Sequence, residues 1–115
     1  MSKKNLAAFA IAGLLSCAPL AGSARADEPA DLYGKKCAMC HGKDGKGNTV
    51  MGKKLAIKDL TDQAIMSKLT DEQIVEQIKN GVKDPATGKE RMLSFNGKLT
   101  DDQMKGLAKF VRTLK

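Results

Sequence analysis

A chain of 115 residues allows one small domain, so the protein's chemistry must be carried by a single core. Its net charge of +7 comes from lysines scattered along the chain, and only 3% of its residues are aromatic, which excludes the dense basic runs and stacking rings that nucleic-acid binding requires. So few rings also leave a domain of this size short of core, which points to a staple other than side-chain packing.

Residues 1–26 read as an export signal. Lys3 and Lys4 supply the positive end, and Leu6 to Leu20 an apolar stretch broken only at Ser16 and Pro19. Ala24-Arg25-Ala26 forms a small-x-small cleavage site, so a mature domain over 27–115 is expected. A retained membrane span would need about 20 apolar residues in a row, and Gly13, Ser16 and Pro19 interrupt this stretch. Leu14-Leu15-Ser16-Cys17 resembles a lipidation site, although the leucine before Ser16 is not the small residue usual there. A soluble periplasmic protein is therefore expected, with membrane association only if Cys17 is lipidated. Removal of Lys3, Lys4 and Arg25 leaves the mature chain mildly basic, which suits an acidic protein partner.

In the mature chain, Asp31 to Cys40 can form a first helix bearing Leu32 and Tyr33. Gly42, Gly45, Gly47 and Gly52 then break any regular element, so Gly42 to Gly52 is expected to be a loop. Within it, Asp44-Gly45-Lys46-Gly47-Asn48 hints at a calcium loop but lacks later acidic ligands, and it reads as turn chemistry. A short helix follows Thr61. Thr70 and Gln73 make a capping box, after which Ile74, Val75, Ile78 and Val82 line one face and Asn80-Gly81 closes the helix. Thr100 and Gln103 repeat the device ahead of the stripe Met104, Leu107, Ala108, Val111 and Leu114. No run alternates as a strand does, so the expected fold is all-α.

The chemistry is concentrated in Cys37-Ala38-Met39-Cys40-His41. With Cys17 in the leader, the mature chain keeps only Cys37 and Cys40, too few for a disulfide framework. A C-x-x-C-H sequence is read as covalent attachment of one haem c. Two thiols one helical turn apart reach two vinyl groups of one porphyrin, and the next imidazole is carried beneath the ring. A thioredoxin-like dithiol would need flanking strands. A zinc site would need four ligands, and the chain holds no other mature cysteine and no other histidine. Export agrees with the haem reading, because this attachment is made outside the cytoplasm.

The run KCAMCHGKDGKGN, the helix ending near Asn80-Gly81, the Met92-to-Phe95 segment and the C-terminal amphipathic helix resemble the small monohaem class I cytochromes c. The resemblance covers nearly all of Asp31 to Lys115. It implies thioether anchors at Cys37 and Cys40, His41 as the proximal axial ligand, and a first helix crossing the last near Gly34 and Phe110. Many members have proline directly after the axial methionine, where this chain has Leu93.

The sixth iron ligand is sought among the methionines, since the one histidine is already used. Met39 lies within the attachment motif, Met66 in a short helix and Met104 on the helical stripe, so all three read as packing residues. Met92 follows the polar turn Asp84-Pro85-Ala86-Thr87-Gly88 and is the expected ligand, with Met51 as the alternative. Iron closed on both sides suits electron transfer, not enzyme chemistry. Lys35, Lys36, Lys43, Lys46, Lys53 and Lys54 surround the motif, and Lys89 and Lys98 flank the methionine segment. This ring of charge would dock donor and acceptor redox proteins through acidic surfaces. A monomeric shuttle is the leading expectation. The alternatives are a haem-bearing subunit of a membrane or dehydrogenase complex, and a ligand-binding haem sensor.

Overall fold

The computed structural model describes Gly13 and residues 28–115; the rest of the leader, its cleavage point and Cys17 lie outside the described residues. Proline has its backbone angle preset for a helix and lacks the N–H that a helix start leaves unpaired, and Pro29 opens α1 (Pro29–Lys36). Asp31 in the first turn and Lys35 and Lys36 in the last complement the helix dipole, while Leu32 and Tyr33 are buried. The expected continuous helix to Cys40 is divided. Cys37 leaves ideal helical geometry at φ −118°, and α2 (Ala38–His41) starts afresh after it.

The glycine-rich stretch is shorter as a loop than its composition predicts. Thr49 accepts from Gly52 N at 2.8 Å and so caps α3 (Val50–Lys54), which makes Met51 and Gly52 helical. The short helix expected after Thr61 is α4 (Gln63–Met66), capped by Asp62. Both capping boxes form as read: Thr70 with Gln73 opens α5 (Asp71–Asn80), and Thr100 with Gln103 opens α6 (Asp101–Val111). Gly81, at φ +74°, ends α5, so Val82 leaves the helical stripe to which its spacing assigned it.

Val82 instead begins a hairpin that the sequence pattern does not announce. β1 (Val82–Lys83) pairs antiparallel with β2 (Glu90–Met92). Strands of two and three residues are too short to show alternation, which is why the all-α expectation omitted them. Their turn is built by Asp84, whose Oδ1 accepts from Ala86 N at 2.8 Å and Thr87 N at 3.1 Å. The same two N–H groups hold its carboxyl below the ordinary carboxylate range.

The core runs along α6. Met104, Leu107, Ala108 and Val111 meet Leu32 and Tyr33 of α1, Ile74 and Ile78 of α5, Met66 and Leu99. Arg112 fastens the end of α6 to the α4–α5 corner, pairing with Asp71 and donating to Met66 O at 3.2 Å and Leu69 O at 2.6 Å. The helix crossing expected near Gly34 and Phe110 has Tyr33, next to Gly34, against Phe110 with ring centroids 5.2 Å apart. A Cβ on Gly34 would meet nothing within 4 Å, whereas one on Gly106 would lie 3.0 Å from Pro29 Cγ.

Candidate haem site

The two thiols and the imidazole are delivered by one turn of chain. Cys37 N donates to Tyr33 O at 2.9 Å and closes α1, while His41 N donates back to Cys37 O at 2.9 Å. Around them the backbone is tied from three directions. Tyr33 Oη donates to Gly42 O at 2.6 Å, Gly47 N to His41 O at 2.7 Å, and Thr49 Oγ1 to Cys40 O at 2.6 Å. Gly52 lies so close beneath this knot that a Cβ there would fall 2.2 Å from Gly47 O and 2.7 Å from Cys40 O.

Cys37 and Cys40 are both free and half-buried. Burial, followed by the charge of Cys40, pushes the Cys37 thiol up from 9.0 to about 11. A thiol held protonated in this way is the reverse of a reactive redox dithiol, whose leading cysteine is shifted down. Burial pushes the His41 imidazole the other way, below its ordinary value, so it is neutral with one nitrogen lone pair available. Its Nδ1 is buried without a hydrogen-bond partner among the described residues. Two unpaired thiols and an adjacent neutral imidazole are the donor set that a covalently attached haem requires, and the residues present fit that group. Among the described residues no three His, Cys, Asp or Glu side chains are grouped to hold a metal ion.

Met92 arrives from the other half of the chain. It lies on β2, pairs with Val82, is half-buried and packs against the core cluster that Cys37 also touches. Met66 and Met104 are core residues, 3% and 1% exposed, as their helical positions predict. Met39 departs from its expected packing role: at 80% exposure it points to solvent from α2. Met51 is 37% exposed on α3. Asp44 Oδ1 accepts from Lys46 N at 3.0 Å, which is the turn chemistry read from the sequence. The cleft between α5 and α6, lined by Glu72, Val75, Lys79, Lys105 and Lys109, shares no residue with this site.

Three contributors were not singled out from sequence. Thr49 precedes Gly52 by three residues, a capping signal that the glycines around it obscured. Tyr33 reaches Gly42 and Arg91 reaches Leu55 and Ala56 across 9 and 35 to 36 residues, spacings for which sequence offers no signal.

Residues 24–111 match the family model described as cytochrome C oxidase, cbb3-type, subunit III. Cytochrome c6 of Thermosynechococcus vestitus is 34% identical over 107 residues, covering 93% of this chain and 86% of that protein. The FixP subunit of the cbb3-type cytochrome c oxidase of Azorhizobium caulinodans is 32% identical over 100 residues, 83% of this chain but 31% of that one. Among solved structures, the KustC0563 c-type cytochrome superposes with a TM-score of 0.67 at 36% identity, covering 76% of this chain and 98% of that one. The family carries one covalently bound haem c, and the Cys37–Cys40 pair fits its attachment. The chain therefore belongs to the c-type cytochromes, in the family of the cbb3-type subunit III model, and is an electron-carrying protein with one haem c.

Proposed function

We propose that Cys37 and Cys40 hold the haem as thioethers, that His41 and Met92 ligate its iron, and that the exported protein shuttles single electrons between redox partners in the periplasm. The observation that carries this reading is the pair of free, half-buried thiols on either side of α2's first turn, with a neutral His41 directly after them. When bound, the haem supplies an iron that accepts and releases one electron.

The chain's own residues do the rest. Tyr33, Gly47 and Thr49 bind the carbonyls of Gly42, His41 and Cys40, which fixes the backbone that presents the imidazole. Met92 offers a soft thioether, which raises a haem potential relative to a second imidazole. If His41 and Met92 both held the iron, no open position for a substrate would remain there, which is the basis for reading the protein as a carrier and not an enzyme. Lys35, Lys36, Lys43, Lys46, Lys53, Lys54, Lys89 and Lys98 are all exposed, available to steer an acidic partner. A second reading, a haem-bearing subunit of a larger complex, draws on the match to FixP.

The test uses paired variants. Met92→Ala should lose the weak sulfur-to-iron charge-transfer band of the ferric protein, lower the potential and admit carbon monoxide to the ferrous form, while Met51→Leu should change none of these. The opposite pattern would make Met51 the ligand. Haem that stays on the denatured chain in a Cys37→Ser, Cys40→Ser double variant would overturn the attachment. Recovery of the protein in the membrane fraction, resistant to salt washing, would favour the subunit reading over the shuttle.

A further inference from the structure

Arg91 has no partner across the hairpin. Val82 pairs with Met92 and Lys83 with Glu90, so Arg91 is an extra residue on β2. A bulge of this kind interrupts the alternation of side chains and re-aims the residue it inserts. The Arg91 guanidinium reaches the end of α3. Its Nε donates to Leu55 O at 3.1 Å, and its Nη2 to the same oxygen at 2.9 Å and to Ala56 O at 2.7 Å. These are carbonyls that a helix end leaves without an intrahelical partner. Leu55 caps α3, and Ala56 holds φ +50°, a left-handed value unusual for a residue with a side chain.

Immediately after Met92 the chain is tied again, to a different helix. Ser94 Oγ donates to Lys79 O at 2.6 Å and Phe95 N to Ile78 O at 3.0 Å, both at the end of α5. Met92 thus sits between two anchors: Arg91 on α3 and Ser94-Phe95 on α5. The hairpin itself supplies little restraint, since its turn from Pro85 to Lys89 is exposed and its ladder is two pairs long.

We propose that Arg91 is a positioning residue that ties β2 to α3 and so keeps Met92 seated on the iron. The proposal rests on the reading of Met92 as the sixth ligand. Arginine suits the task because its rigid fork spans two carbonyl oxygens at once, where a lysine ammonium acts as a point donor.

The experiment titrates the ferric holoprotein with imidazole, which binds only when the sixth ligand leaves, and follows the charge-transfer band. The thermal midpoint is recorded in parallel. Arg91→Ala should keep the band without imidazole and bind imidazole about tenfold more tightly or better, as the loss of charge-assisted hydrogen bonds predicts. Arg91→Lys should fall between this variant and the unsubstituted protein, and it carries the same test if Arg91→Ala does not assemble. Arg112→Ala is the matched control, because it removes an arginine that likewise makes three hydrogen bonds, at the far end of α6. It should lower the midpoint and leave imidazole affinity unchanged. Arg91→Ala titrating like the unsubstituted protein, or Arg112→Ala shifting affinity as much, overturns the proposal. Retention of the band by Met92→Ala would overturn the ligand reading itself, and its loss beside an unmoved Arg91→Ala overturns the positioning role alone.

Discussion

The ring of Tyr33 meets that of Phe110 at a centroid distance of 5.2 Å with the planes inclined by 51°, and the same tyrosine donates its hydroxyl to Gly42 O at 2.6 Å. One side chain thereby couples the packing of α1 on α6 to the backbone directly after His41. Tyr33→Phe keeps the ring and leaves the Gly42 carbonyl with only its bond from Gly45 N at 3.1 Å, so it should cost about 1 kcal/mol in denaturant unfolding. A double-mutant cycle between Tyr33→Leu and Phe110→Leu should return a coupling of about 0.5–1.5 kcal/mol. Additive effects would mean that the rings contribute area alone.

Tyr33 also contributes a stability that is lost at alkaline pH. Burial, then the charges of Cys37 and Asp44, push its hydroxyl up from 10.0 to about 12. A raised folded-state value means that the native state holds a proton the unfolded chain has released. The stability this contributes is complete below about pH 10 and is lost as pH rises through about 12. The chain has one tyrosine and no tryptophan, so phenolate absorbance reports this residue alone. Folded protein should titrate later than protein in denaturant, and Tyr33→Phe should flatten the fall in stability. Thioether formation at Cys37 removes one of the smaller causes, so the holoprotein should retain the shift through burial. Coincident folded and unfolded titrations would show Tyr33 to be wet.

Glycines at three positions should respond to alanine with different signs. Gly34 is inside α1 with nothing within 4 Å of an added Cβ, so Gly34→Ala should stabilise by up to about 1 kcal/mol through helix propensity. At Gly106 the neighbour is Pro29 Cγ at 3.0 Å, a contact that a small shift of the first turn of α1 can relieve, and the effect should be small. At Gly52 the obstacles are the backbone oxygens of Gly47 and Cys40, which belong to the knot around His41 and have no room to shift. Gly52→Ala should therefore cost several kcal/mol, more than about 3, and reduce the yield of protein with haem attached. Thermal unfolding of the three variants orders them; a stable Gly52→Ala would mean that α3 is free to move away.

What could be read in advance follows from how local each signal is. The capping boxes at Thr70 and Thr100 and the stripe from Met104 to Val111 lie within one or two turns, and their helices begin where those residues place them. The motif from Cys37 to His41 is equally local, and its residues arrive together. Cys37 interrupting the first helix was not legible, because both halves are made of residues that helices accept. Nor was the hairpin, whose ladder is too short for a period and whose bulge at Arg91 has no compositional mark. The close approach of Gly106 to Pro29 was not legible either, because the two are 77 positions apart in the chain and no pattern within either helix records it.

The exposed lysines make a prediction in which location and net charge are separable. Exposed charges steer an encounter over about 8–10 Å at physiological ionic strength, so reduction of ferricyanide, an anion, should slow as salt is added. A positively charged protein would show this whatever the arrangement of its lysines. The discriminating comparison holds net charge equal: Lys43→Glu with Lys53→Glu beside the attachment motif, against Lys105→Glu with Lys109→Glu on α6. Each pair changes the charge by the same amount, and all four side chains are exposed. If electrons leave through a face bounded by the motif lysines, the first pair should cut the rate several-fold and flatten its salt dependence, as rim charges do by changing encounter rates. The α6 pair should do much less, because its charges line the cleft between α5 and α6. Equal slowing by both pairs would leave net charge as the whole effect and remove Lys43 and Lys53 from any docking role.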